Sequence, residues 1–190
     1  MRCFIAINLD DSLKREINSV MAGLRQGNWD VKWVPAENLH ITLRFLGETP
    51  ENITEKIRLE LAGVSGRHES FDLNFRGVGV FPDRKRPRVV WIDLVHPKDL
   101  IRLQQDVDEY LATLGFERET RDFSPHLTIG RVRSLRGRDF FLEAMEALKD
   151  RDFGNIGVDR IYLMKSDLKP AGAQYSVIAE FPLIRRNNDQ

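Results

Sequence analysis

"HITLRFLG" (residues 40–47) and "HLTIGRV" (residues 126–132) repeat one pattern: histidine, apolar, threonine, apolar. The chain has four histidines and six threonines among 190 residues. Random placement would give His-x-Thr about 0.13 times. Two copies with matching apolar positions therefore point to two related strands. Side chains alternate between the faces of a strand. In the first run Leu39, Ile41, Leu43 and Phe45 share one parity and are expected to face a core, with His40, Thr42 and Arg44 opposite. In the second run Leu127 and Ile129 take the core face, and His126 and Thr128 oppose them. Arg131 falls on core parity. It joins the histidine face only if the strand ends or bulges, which Gly130 permits.

Outward from these strands, the pattern of the whole chain repeats. "RCFIAINL" (residues 2–9) reads as a buried strand, with Asp10, Asp11 and Ser12 as a cap. Leu13, Ile17, Val20, Met21 and Leu24 form a helical stripe, and Gly27 is a stop. A short strand at 31–34 precedes the first motif strand. A helix over 50–64, a strand over 71–81 and a basic turn over 82–87 follow. The order then restarts with a strand over 88–94, a helix from Leu100 to a stop at Gly115, and the second motif strand. A helix near 139–148 and strands over 157–166 and 174–183 complete it, and the polar tail 185–190 is expected to fray.

The reading is β-α-β-β-α-β twice. The 86-residue spacing of the motif histidines carries Ile5 onto Trp91, Leu59 onto Met145 and Phe75 onto Ile161. Each lands element on element. The expectation is an α+β single domain, residues 1–190, with two lobes formed by residues 1–82 and 87–184 and a mixed or antiparallel sheet in each.

Lys+Arg and Asp+Glu each number 29, so the molecule as a whole exerts no pull on nucleic acid or membrane. Attraction for phosphate has to be local. Arg84, Lys85, Arg86 and Arg88 form one basic run, and Arg131, Arg133, Arg136 and Arg138 another. Most of these read as solvated charge, and the functional version is a positive rim. Cys3 is the one cysteine, which excludes an intrachain disulfide and a cysteine-based zinc site. No signal peptide and no apolar run of membrane-spanning length is seen, so a soluble cytoplasmic protein is expected. His68 and His96 read as loop residues without a role. The histidine spacings of 28, 28 and 30 fit no usual metal motif. Trp29, Trp33 and Trp91 are candidates for base stacking, although Trp91 sits mid-strand and reads as core.

Each motif strand presents an imidazole beside a hydroxyl on a rigid support. An imidazole exchanges protons near neutral pH, and a hydroxyl donates to a phosphate oxygen. Two such strands facing each other make an acid and base suited to phosphodiester cleavage without a metal. The near-symmetry of the motifs leaves open which histidine is which.

The doubled motif, within "LHITLRFLGE" and "FSPHLTIGRVR", resembles the two H-x-T-x signatures of the 2H phosphoesterase superfamily. The surrounding sequence is similar to its RNA 2′,3′-cyclic phosphodiesterase branch, also called 2′-5′ RNA ligases or LigT-like proteins. "RCFIAINL" and residues 80–91 fit that branch as well. The resemblance implies two pseudo-symmetric α+β lobes, helices outside, with the active-site cleft between them. It implies hydrolysis of RNA or nucleotide 2′,3′-cyclic phosphates to 2′-phosphomonoesters, with no metal, no cofactor and no obligate protein partner, by a monomer. By the same resemblance His40 is the proton donor, His126 the proton acceptor, and Thr42, Thr128 and Arg131 bind substrate. The alternatives are a 2′-5′ RNA ligase joining tRNA halves, and a non-catalytic module that binds RNA ends or nucleotides.

Overall fold

The computed structural model describes residues 1–170 and 172–186. Nine strands and four helices occur among them. β1 (Arg2–Asn8) is buried on both faces, with Cys3, Ile5 and Ile7 on one side and Phe4 and Ala6 on the other. Such a strand belongs inside a sheet, and β1 is flanked by β3 (His40–Glu48) and β8 (Arg160–Lys169), with β9 (Gly172–Pro182) beyond. The second sheet runs in the order β2 (Val31–Trp33), β6 (His126–Val132), β5 (Val89–Val95), β4 (Phe71–Phe81), β7 (Asp152–Val158). Every strand pair in both sheets is antiparallel.

The helices follow from apolar stripes. α1 (Asp11–Arg25) starts where the Asp10 carboxylate accepts the Leu13 N–H at 2.7 Å, and it buries Leu13, Ile17, Met21 and Leu24. α2 (Glu51–Ser65) buries Ile57, Leu61 and Val64 and lies against β8 and β9. α3 (Lys98–Thr113) packs on α2 and β3, and α4 (Arg138–Ala147) on β4. One continuous apolar core joins the four helices to one face of each sheet. The other faces lie outside that core, and the first sheet's carries a small separate cluster of Phe4, Ala6 and Met164.

Three expectations need correction. The lobes do not divide at residues 82–87. β4 closes the first half of the chain but pairs with β5, and β8, from the second half, pairs with β1. Each half thus gives a late strand to the other half's first strand, and β9 follows β8 into the β1 sheet, so both ends of the chain are tied into one sheet. The second half is not β-α-β-β-α-β, because β2 has no counterpart there and β7 falls where no strand is expected. Gly154 and Gly157 break the β7 pattern, and Gly154 sits at φ 110° beside a register shift. The 86-residue offset holds along the motif strands but slips elsewhere. Thr42 and Thr128 pair with Ala6 and Trp91, which are 85 apart. Leu59 is exposed whereas Met145 is buried. Of the tail, Arg185 and Arg186 are exposed and irregular, and residues 187–190 lie outside the described residues. No helix among the described residues is long and apolar enough to cross a membrane.

Candidate active site

The two motif strands belong to different sheets yet approach each other directly. The backbone laces them together. The β2–β6 ladder continues past Trp33, where the Val34 N–H donates to the Ile129 carbonyl at 2.9 Å. The chain then makes a single 3₁₀ turn (Ala36–Asn38) and delivers His40. The Asn38 amide fixes that turn by donating to the Ala173 carbonyl on β9 at 2.9 Å.

Each imidazole is held the same way. His40 Nδ1 lies 2.7 Å from the Asn38 carbonyl oxygen, and His126 Nδ1 lies 2.7 Å from the Ser124 carbonyl oxygen. A carbonyl only accepts, so each Nδ1 carries the hydrogen and each Nε2 is left to exchange a proton. His126 is exposed at the start of β6. His40 is half-buried, edge-on to Tyr175 at 5.2 Å and 4.9 Å from the Phe4 ring. Burial pushes the His40 imidazole below its ordinary pKa, and the hydrogen bond to Asn38 offsets part of that. Thr42 and Thr128 are half-buried on the histidine faces, opposite buried Ile41, Leu43, Leu127 and Ile129.

Beyond the threonines simple alternation fails, for the same reason in both strands. Ala6 pairs with Thr42 and Ile5 with Arg44, so Leu43 is an extra residue. Trp91 pairs with Thr128 and Val90 with Gly130, so Ile129 is its counterpart. These bulges reset the parity. Phe45, expected in the core, is 68% exposed on the His40 face. Arg131 is exposed on the His126 face, which removes the objection that parity raised. Arg44, placed by alternation on the face of His40 and Thr42, turns instead to α3 and the segment beyond it. Its side chain is 12% exposed, with Nε 3.2 Å from Asp108 Oδ1, Nη1 3.1 Å from Glu119 Oε2, and Nη2 on the Glu117 carbonyl. The Nε–Asp108 contact is not aligned as a hydrogen bond, so it acts by charge.

The structure also supplies residues that the motifs did not mark. Phe4, Ala6 and Met164, with Tyr162 and Tyr175, form a small cluster apart from the main core, beside His40. Phe4 and Phe45 are 6.2 Å apart. A strand apolar on both faces was the available signal for Phe4. Tyr175 had none, being far away in sequence. Trp91, expected in the core, lies outside it on the Thr128 face. Its indole covers Gly79 so closely that a Cβ there would sit 2.4 Å from the ring. The other two histidines lie elsewhere: His68 is bound to Asp106 at 2.8 Å, and His96 sits exposed at the β5–α3 turn. Among the described residues no group of three or more His, Cys, Asp or Glu converges as a metal site.

A family model, the 2′-5′ RNA ligase superfamily, matches residues 9–170 of this chain. The chain belongs to the 2′-5′ RNA ligase superfamily. It is 35% identical over 183 residues to the RNA 2′,3′-cyclic phosphodiesterase of Methanothermobacter thermautotrophicus, covering 96% of this chain and 99% of the relative. The enzyme of that name from Archaeoglobus fulgidus is 38% identical over 181 residues, covering 95% and 99%. Among solved structures, TT0787 of Thermus thermophilus superposes with a TM-score of 0.80 at 26% identity, covering 98% of this chain and 100% of that one. E. coli LigT in its apo form gives 0.74 at 27%, covering 96% and 97%. Membership of the 2′-5′ RNA ligase superfamily makes this chain an enzyme with the two-lobed LigT-like fold.

Proposed function

We propose that this chain hydrolyses RNA or ribonucleoside 2′,3′-cyclic phosphates to 2′-phosphomonoesters by two-histidine acid–base catalysis. The observation that carries the reading is the matched pair of imidazoles. On two touching strands, each has Nδ1 tied to the carbonyl two residues upstream, Nε2 available, and a threonine on the same face two residues on. The relatives named RNA 2′,3′-cyclic phosphodiesterase support the substrate class. LigT, solved with 3′-AMP and with phosphate, supports a site that accepts a nucleotide phosphate.

In the reaction, His126 Nε2 takes a proton from water as its oxygen attacks phosphorus. The bond from phosphorus to the 3′ oxygen breaks, and His40 Nε2 gives its proton to that oxygen. Phosphate stays on the 2′ oxygen. Thr42 and Thr128 donate to the non-bridging oxygens, and Arg131 offsets their growing charge. Each proton transfer contributes about 10²–10⁴-fold. The chain works as a monomer in the cytoplasm in this reading. With a 5′-hydroxyl in place of water, the same groups in the same roles would join a 2′,3′-cyclic end to that hydroxyl through a 2′-5′ bond, the 3′ oxygen leaving as before; this is the reaction in the superfamily's name.

The deciding experiment is turnover of a 2′,3′-cyclic mononucleotide with EDTA present, with the product assigned by phosphorus NMR. The expected product is the 2′-phosphate, and His40→Ala and His126→Ala each lose orders of magnitude. A 3′-phosphate product, or full activity in either alanine variant, would refute the mechanism. Incubation with paired tRNA halves tests for the joining reaction.

A further inference from the structure

A 2′,3′-cyclic phosphate closes the 3′ end of an RNA, so the rest of the strand can leave the site only through the 5′ oxygen of the terminal nucleotide. The five-stranded sheet offers a surface for it. Trp91 and Thr128 are cross-strand neighbours, with Gly79 beyond Trp91. The next row outward joins four strands: Phe81 pairs with Val89, Val89 with Arg131, and Arg131 with Lys32. Phe81 is 60% exposed, and Arg131 and Lys32 are exposed too. Beyond this row lie the 82–88 hairpin and the 133–137 loop, joined where the Val132 N–H donates to the Arg88 carbonyl and Arg138, at the start of α4, reaches the Lys85 carbonyl.

The charges here are arranged at a cost. Lys32 and Arg131 are like charges placed directly opposite each other, which destabilises a sheet when no anion lies between them. Arg84 and Arg138 have partners in Glu146 and Asp139. Among the described residues Lys32, Lys85, Arg86, Arg88, Arg131 and Arg133 take part in no ion pair. All of them are exposed. In a molecule of zero net charge this is a local excess of cations, which the Asp83 carboxylate in the same hairpin offsets only in part. It is interleaved with two aromatic rings on one sheet face, the combination that binds single strands by stacking and by phosphate contact.

We propose that this face is a track for single-stranded RNA. It rests on the function proposed above and names its substrate as an oligonucleotide. Trp91 and Phe81 stack on bases, and Arg131, Lys32 and the hairpin cations neutralise successive phosphates. Rows two residues apart lie about 7 Å apart along a strand. The path from Thr128 to the hairpin therefore holds a few nucleotides.

The test compares adenosine 2′,3′-cyclic phosphate with an octa-adenylate ending in a 2′,3′-cyclic phosphate. The variants are Phe81→Ser and the double variant Lys32→Gln, Arg86→Gln, all at exposed positions. The wild type is expected to use the octamer at least about tenfold better in kcat/KM. Each variant lowers the octamer value about fivefold or more and leaves the mononucleotide value within about twofold. The double variant also flattens the salt dependence of octamer binding, by about 1.4 in the log–log slope. Equal use of both substrates by the wild type, or variants that lower both alike or neither, overturns the track. If the wild type turns over neither substrate, the enzymatic reading falls and octamer binding by fluorescence anisotropy decides the track. Weaker binding by the variants upholds it, and unchanged binding overturns it.

Discussion

Phe45 and Arg131 occupy the same place in the two motif strands: each stands five residues after its histidine, two after its bulge, and exposed on the histidine face. The duplication therefore supplies matched imidazoles and hydroxyls, then departs from symmetry one step further out. A nucleotide is itself asymmetric, with a flat base on one side and an anion on the other. An aromatic ring on one lobe and a guanidinium on the other give it a single orientation.

The two positions should respond differently to mutation. Arg131→Gln removes a charge-assisted contact and is expected to lower kcat/KM for a cyclic mononucleotide about 10- to 100-fold. Phe45→Ala is expected to cost about tenfold or less, mainly in KM, and to change the ranking of the four bases. Steady-state kinetics on the four cyclic mononucleotides reads both effects. Identical responses at the two positions would show that the asymmetry has no part in recognition.

Arg44 links the first motif strand to the segment that leads into the second. It binds Asp108 on α3 together with Glu119 and the Glu117 carbonyl, and the chain then runs on to Ser124, whose carbonyl orients His126. Arg44→Met is expected to lower stability by about 1–3 kcal/mol, since it strands the little-exposed Asp108 carboxylate. It should lower kcat more than it raises KM, because His126 loses position while the phosphate contacts remain. Arg44→Lys restores the charge without the fork and should recover only part of both. Thermal melts with mononucleotide kinetics test this, and a melt shift with unchanged kcat would confine Arg44 to stability.

Most of this fold is legible in periodicity because its helices are amphipathic and its motif strands alternate cleanly up to the threonines. β4 and β6 can be read to the residue. What escapes is set by pairing rather than by local pattern. The exchange of β4 and β8 is a long-range choice that spacing along the chain does not encode. The bulge at Leu43 leaves no mark in composition and that at Ile129 only the permissive Gly130 beside it, yet they put Phe45 and Arg131 on the open face. Tyr175 comes to His40 from 135 positions away, through three antiparallel pairings. The paired His and Thr need none of this, since each pair lies within three residues of one strand.

His40 makes the protein sensitive to acid in a definite direction. Burial holds its folded-state pKa below the ordinary value of about 6.5. As pH falls below that value, the unfolded chain takes up the proton first. The contribution of neutral His40 to stability is therefore complete above about pH 6.5 and is lost as pH falls through the lowered folded value. Urea melts between pH 5 and 8 should show His40→Gln lacking this part of the wild-type slope. In catalysis the same burial leaves His40 mostly neutral in the free enzyme, so a proton donor there depends on the bound phosphate to draw its proton in. Inorganic phosphate is expected to raise the His40 titration midpoint seen by NMR. A midpoint unmoved by phosphate would assign the donor role elsewhere.

Gly79 is the place where the Trp91 platform can be disturbed without touching a histidine. A Cβ at this position would lie 2.4–2.8 Å from three atoms of the indole, closer than van der Waals contact allows. The ring must lift away from the sheet, next to Thr128. Gly79→Ala is expected to cost about 1–3 kcal/mol as an overpacking change. It should also shift the ¹⁹F resonance of a 5-fluorotryptophan at position 91 while those at Trp29 and Trp33 stay in place. Because the threonine is held by backbone pairing and the ring is not, mononucleotide turnover should fall less than turnover of the octamer. If the position-91 resonance does not move, the ring does not lie flat over Gly79, and the stacking platform loses its floor.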